Sequence, residues 1–464
     1  MSLVSNLFLL FVLASVLVYY IVPHKWQWLV LLVFSYIYYV AGGPRFVVFI
    51  LFSTIVTWLA ALMIEKMEAQ ENHKTARNIL ILGLILNFGM LGAVKYTNFA
   101  IENLNALFHM NLRGMAILLP LGISFYTFQS SGYLLDVYWK RCEAEKHPLK
   151  YALFVSFFPQ ILQGPIGRYS RLANQFYAPH KFEGKNIARG FERILWGFFK
   201  KMILADWAAV FVDEIFVNPD QYSGLALIGI LLYTLQLYAD FSGGMDVVIG
   251  IASMFGIELD ENFKRPFFAV SVTDFWHRWH ITLGQWFQTY IYIPLGGNRT
   301  GTCKWIRNLL VVWILTGIWH GTEFHFILWG FSLFVIVLTE KLLLKKLTDR
   351  YALAGHLYMA VLIPLSWMLF GISDPGSIEV YTRKLFPFFS ADDAIIYVND
   401  FWKNLNDFRF IIPAGFLFST RLPVRFLKKI RGSVPEIFVY LAIFWASVYC
   451  IYVGSNDPFL YFRF

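Results

Sequence analysis

"NLLVVWILTGIWHGTEFHFILWGFSLFVIVLT", residues 308–339, runs for 32 residues with His320, Glu323 and His325 as its only ionisable groups. As a single helix it would extend about 48 Å at ~1.5 Å per residue, well beyond a ~30 Å hydrocarbon core. Both flanks are basic: Arg299, Lys304 and Arg307 precede it, and Lys341, Lys345, Lys346 and Arg350 follow. Equal flanks put both ends on the cytoplasmic side. The run is therefore expected to break between Gly317 and Gly321, setting His320 near mid-depth against a cavity; a single steeply tilted helix is the alternative. Polar groups in hydrocarbon are costly unless paired or used. His320 is either a hydrogen-bonding device between helices or the chemistry itself, and hydropathy leaves these evenly matched.

The rest of the chain has the same character. Of 464 residues, 58% are hydrophobic and 15% charged, against about 45–50% and ~25% in soluble chains. This is a polytopic membrane protein. Its net charge of +9 does not point to nucleic acid, because 24 of its 39 basic residues fall in short loops between apolar runs. Those loops, at 140–150, 168–201, 299–307, 341–350 and 421–431, are expected to be cytoplasmic. Cys142, Cys303 and Cys450 are scattered and suggest neither a disulfide framework nor a metal cluster. The first apolar segment, 3–22, lacks a basic lead and a cleavage pattern, so it is expected to remain as a span.

Further spans are expected near 27–41, 45–64, 78–97, 113–135, 189–216, 223–256, 352–371, 405–420 and 434–453, with the acidic stretch 372–404 outside. The fold class is all-α: one membrane domain, residues 1–464, of roughly eleven apolar elements. Two stretches resist simple spanning. "SFFPQILQGPIGRY" (156–169) has prolines and glycines inside an apolar segment and is expected to break or re-enter. Residues 258–300 mix aromatic and basic residues as an interfacial segment does.

Within that segment, "DFWHRWH" (274–280) spaces Asp274, His277 and His280 three residues apart. On a helix they fall within about 120° on one side; an interfacial helix anchored by Trp276 and Trp279 is the plainer reading. An i, i+3 histidine pair is a weak metal signal, and "NPDQ" (218–221) without HExxH does not make a metalloprotease. No metal is expected. No GxSxG appears, and no cysteine sits in a pKa-lowering motif. A neutral imidazole can take the proton from an attacking hydroxyl near neutral pH. Glu323, three residues past His320, either orients the ring or faces a polar cavity.

Several long stretches together resemble the membrane-bound O-acyltransferases, and in particular their alginate O-acetyltransferase branch. They are "LPLGISFYTFQ" (119–129), "FFPQILQGPIGRY" (157–169), "LQLYADFSGGMDVVIG" (235–250), "NFKRPF" (262–267), "DFWHRWHITLGQWFQTYIYIPLGGNR" (274–299), "LTGIWHG" (315–321) and "NDPFLYFRF" (456–464). The resemblance implies a ring of tilted helices around a central tunnel, with residues 119–340 as the motif-bearing core of a bacterial cell-membrane protein. It implies that His320 is the catalytic histidine and His280 the second functional one. Trp279, Arg278, Asp240, Gln163, Asn298, Arg299 and Trp319 are implied as donor-binding or supporting residues. His277 stands where relatives carry arginine, and "WMLFGI" (367–372) lacks the usual arginine of its motif.

The resemblance further implies acetyl transfer to a secreted or cell-surface polysaccharide. Acetyl-CoA or an acyl-carrier thioester would be the cytoplasmic donor, and a separate extracytoplasmic acetyltransferase and the polysaccharide machinery would be partners. D-alanyl transfer to teichoic acid is the nearer alternative; a transporter or flippase lined by the same polar groups is the competing class.

Overall fold

The computed structural model describes residues 3, 5–161, 163–217, 226–386, 402–403, 406 and 409–453. The NPDQ tetrad, the terminal NDPFLYFRF and much of the acidic stretch 372–404 lie outside them. Every regular element described is helical, apart from an isolated bridge between Phe263 and Trp279. Among the described residues, five helices are long and apolar enough to cross a membrane: Pro44–Ala69, His73–Lys95, Phe324–Leu344, Ala352–Gly371 and Val434–Val453. Asn6–Ile21 is a shorter apolar helix.

The chain divides into two compact units. One comprises Met1–Ile194, Met245–Glu261 and Gln285–Tyr290; the other comprises Leu195–Gly244, Asn262–Gly284 and Ile291–Phe464.

In the first unit, Val47–Ala69, His73–Lys95 and Ile123–Tyr138 pack together. Their shared interior holds a polar network in which Ser53 donates to Asn87 Oδ1 (2.6 Å) and Asn87 Nδ2 donates to Thr57 Oγ1 (3.0 Å). The span expected near 113–135 is shorter than its apolar run. Residues 109–120 carry no helix, and Gly122 turns the chain in the left-handed region (φ 67°) before Ile123 starts one. Pro120 and Gly122 are the local cause. The 156–169 stretch breaks as expected: a helix ends at Ser156, a single turn covers Phe158–Ile161, and irregular backbone follows. Side chains satisfy that buried backbone, since Phe158 N donates to Ser35 Oγ (3.0 Å) and Gln160 Nε2 donates to Pro165 O.

The second unit contains the run that decides the fold, and it is a helical hairpin. Thr302–His320 ends at the histidine, Gly321 and Glu323 are extended, and Phe324–Thr339 returns. The single tilted helix does not form. The arms are antiparallel and nearly touch: a Cβ on Gly317 would lie 2.3 Å from Phe326 O, and one on Gly330 would lie 2.4 Å from Trp313 O. Only glycine allows backbones this close. The span expected near 189–216 is also interrupted. Gly184–Phe198 passes into π-helical turns, Phe199–Ala205, before Asp206–Val217. The expected basic loop 168–201 is corrected accordingly. It holds the helices Tyr169–Tyr177 and Gly184–Phe198, and Lys200 and Lys201 are buried rather than solvated.

The hairpin contact makes a sharp prediction. Gly317→Val or Gly330→Leu overpacks the crossing and lowers unfolding free energy by about 1–3 kcal/mol or more. Gly89→Ala, in an exposed helix interior where an added Cβ meets nothing within 4 Å, does not lower it and raises it by up to about 1 kcal/mol. Thermal unfolding in detergent separates the two classes.

Candidate active site

His320 closes the first arm of the hairpin and is half-buried. Its ring packs edge-on against Trp319 (4.8 Å between centres), Trp329 (5.2 Å) and Phe370 (5.2 Å). Trp319 is buried and also lies 5.7 Å from the ring of His280. One indole therefore contacts both histidines that the sequence singles out, although forty residues separate them. Glu323 takes no part in this contact. It is exposed at the start of the second arm, with its carboxylate 3.3 Å from Nδ1 of His325.

His280 reaches Trp319 by a route the helical reading missed. The helix holding Asp274 covers only Val272–Trp276, so Asp274, His277 and His280 do not share a helical face. The backbone instead pairs with the "NFKRPF" segment. Lys264 N donates to Arg278 O (2.9 Å), and Ile281 N donates to Asn262 O (3.1 Å). His280 then turns in the left-handed region, φ 45°. The buried Asn262 Oδ1 accepts both N–H and O–H of Thr282, each at 2.9 Å, fixing the next helical turn. Upstream, the buried carboxylate of Glu340 accepts from the backbone N–H groups of Val272 and Thr273 and from the Thr273 hydroxyl. These are helix N-terminal donors that a carboxylate satisfies well.

His280 is 3% exposed, with its ring 4.8 Å from that of Phe241. Neither ring nitrogen reaches a partner in another described residue. Burial pushes its pKa down to about 3, so the ring is neutral at physiological pH. Buried polar atoms without partners are uncommon, and each calls for an explanation such as a water, an ion or a catalytic role.

The remaining candidates sort by environment. Trp279 is core, stacked on Phe275 (5.5 Å) and close to Trp367 (5.0 Å). Arg278 donates through Nε to Asp274 (2.7 Å), and His277 is exposed. Asn298 and Arg299 are exposed on a tight turn with Gly296 and Gly297 at positive φ. The buried Asn308 holds that turn by donating to Leu295 O (3.1 Å) and Gly297 O (3.0 Å). Gln163, in the first unit, is buried with no amide partner among the described residues. Asp240 belongs to a buried charge cluster: Lys201 Nζ lies 2.7 Å from Asp240 and 2.6 Å from Asp206, and Lys200 donates to Ser242 (3.0 Å).

Sequence reasoning missed Asn262, Asn308, Glu340 and the two lysines as positioning groups. Polar residues set within apolar stretches, as in "FFKKMILAD" (198–206) and "VLTEKLLL" (337–344), were the available signal.

Comparison with known proteins bears on this arrangement. Residues 144–373 match the model of the membrane-bound O-acyltransferase family. "Probable alginate O-acetylase AlgI" of Pseudomonas putida is 32% identical over 99% of both chains. "Peptidoglycan O-acetyltransferase" of Helicobacter pylori is 37% identical over 65% of this chain and 62% of its own length. "Teichoic acid D-alanyltransferase" of Bacillus subtilis is 31% identical over 45% of this chain and 56% of its own.

Two measurements test the electrostatics. A histidine whose folded pKa lies below its unfolded value contributes stability above about pH 6.5 that is lost as pH falls. Below pH 6.5 the unfolding free energy of the wild type should therefore drop about 1.4 kcal/mol per pH unit more steeply than that of His280→Gln. Lys201→Met removes the cation lying between two buried carboxylates and should cost about 3–5 kcal/mol, with Asp240→Asn in the same chain restoring part of the loss.

Proposed function

Because the chain belongs to the membrane-bound O-acyltransferase family, we propose that its acyl transfer runs at the hairpin tip with His320 as general base. The protein is a multi-pass bacterial membrane protein and an O-acyltransferase. It transfers acetyl for the O-acetylation of a secreted or cell-surface polysaccharide. The relatives named for alginate and peptidoglycan O-acetylation match more of the chain than the D-alanyltransferase does.

The observation that carries the mechanism is the position of His320. It ends a helix at a break, with one aromatic side chain bridging it to a second, buried histidine. A helix C-terminus bears partial negative charge and stabilises a cation. That favours an imidazole which becomes imidazolium as it removes the proton of an attacking hydroxyl. The hydroxyl oxygen bonds to the acyl carbon, the carbon–sulfur bond of a thioester donor breaks, and the proton passes from His320 to the leaving thiolate. His280 stays neutral and uses its unpartnered ring nitrogens to hydrogen-bond donor or acceptor. Arg299 and Asn298, exposed on their turn, meet an anionic donor such as acetyl-CoA or an acyl carrier. The attacking hydroxyl is that of an extracytoplasmic partner transferase, whose acetyl ester is then broken as the acetyl passes to a hydroxyl of the polymer.

The test is His320→Ala, with expression and thermal unfolding checked. Base-labile acetyl on the polymer should fall about 10²–10⁴-fold while the protein stays folded. Glu323→Gln should retain activity. Polymer acetylation that survives in a folded His320→Ala protein overturns the general-base role.

A further inference from the structure

Phe267, Met359, Ile363 and Phe416 line an apolar cavity of about 450 Å³ in the second unit, well within the size range of ligand pockets. Pro266 and Thr420 also belong to its wall, and the residues next to them in the chain are Arg265 and Arg421. Arg265 sits at a left-handed position (φ 51°). Desolvation, then the nearby charges of Arg421, Arg278 and Arg425, push its guanidinium below the usual arginine range. Arg278 is paired with Asp274, but Arg265, Arg421 and Arg425 have no carboxylate partner among the described residues. Three guanidiniums gathered against their own repulsion make a field that an anion relieves.

The level of this cluster is set by the Leu422–Lys429 helix. Leu422 and Phe426, one turn apart, are both exposed, while Arg425, Lys428 and Lys429 supply charge. A short amphipathic helix of this kind lies flat at the boundary between headgroups and acyl chains. A small soluble anion would leave the apolar walls uncovered.

We infer that the cavity and its arginines are the seat of an anionic phospholipid, with one acyl chain among Phe267, Met359, Ile363 and Phe416 and the phosphate on Arg265, Arg421 and Arg425. This seat is separate from the histidines, and its occupancy does not depend on which reaction they perform.

Native mass spectrometry of the purified, delipidated full chain, titrated with phosphatidylglycerol or phosphatidylcholine, tests it. The wild type should bind phosphatidylglycerol at least tenfold tighter than phosphatidylcholine. Arg421→Ala and Arg425→Ala should each weaken it about fivefold, and Ala360→Phe, which fills the cavity with the charges intact, should weaken both lipids. Equal affinity for the two lipids, or no effect of Ala360→Phe in a folded protein, overturns the proposal. So does displacement of the lipid by millimolar inorganic phosphate or by acetyl-CoA, which would mark a free-anion or donor site.

Discussion

Backbone that leaves the helix where protein packs around it has amide and carbonyl groups that must still find partners. The second unit answers with buried side chains standing in for water. Asn262 completes the backbone after His280, Asn308 holds the turn that presents Asn298 and Arg299, and Glu340 receives the first donors of Val272–Trp276. None of them needs to touch substrate. Each fixes a piece of irregular chain that would otherwise have to become helix, and candidate side chains such as His280, Asn298 and Arg299 stand on those irregular pieces. Glu340 also places negative charge at the positive end of a short helix, where it is stabilising.

The two histidines occupy opposite electrostatic settings. His280 is enclosed by aromatic rings, with no partner for its ring nitrogens in another described residue, so its ring remains neutral. His320 stands half-buried at the negative end of a helix. In the proposed mechanism this difference divides the labour: one ring holds, the other changes charge. Trp319 makes the pair a unit, because any shift of the hairpin tip moves the contact with both. Gly317 and Gly330 keep that tip in place by letting the two arms meet backbone to backbone.

How far the sequence revealed this depended on the scale of the signal. The membrane class and the hairpin break followed from hydropathy and length, since 32 apolar residues exceed a bilayer and Gly317 and Gly321 mark where to turn. The helical reading of 274–280 failed because periodicity is blind to a distant partner: "NFKRPF" pairs with Arg278 and Ile281 and ends the helix at Trp276. Lys200 and Lys201 were assigned to solvent because charge counting cannot see Asp206 and Asp240 waiting in the folded chain. Motif resemblance pointed to His280 and His320, but not to Asn262, Asn308 or Glu340 as the groups that hold the irregular backbone around them.

The threading of the chain has a consequence for biogenesis. The first unit borrows Gln285–Tyr290 from late in the sequence. Trp286 stacks on Phe128 at 4.0 Å, and the Tyr290 hydroxyl donates to Asp136 at 2.8 Å. Synthesis proceeds at about 5–20 residues per second. The buried Asp136 therefore spends on the order of 10–30 s in the inserting chain before its tyrosine exists. During that interval Asp136 has the nearby Arg141, at 3.4 Å, as its partner, and its second oxygen gains the tyrosine hydroxyl only when Gln285–Tyr290 arrives.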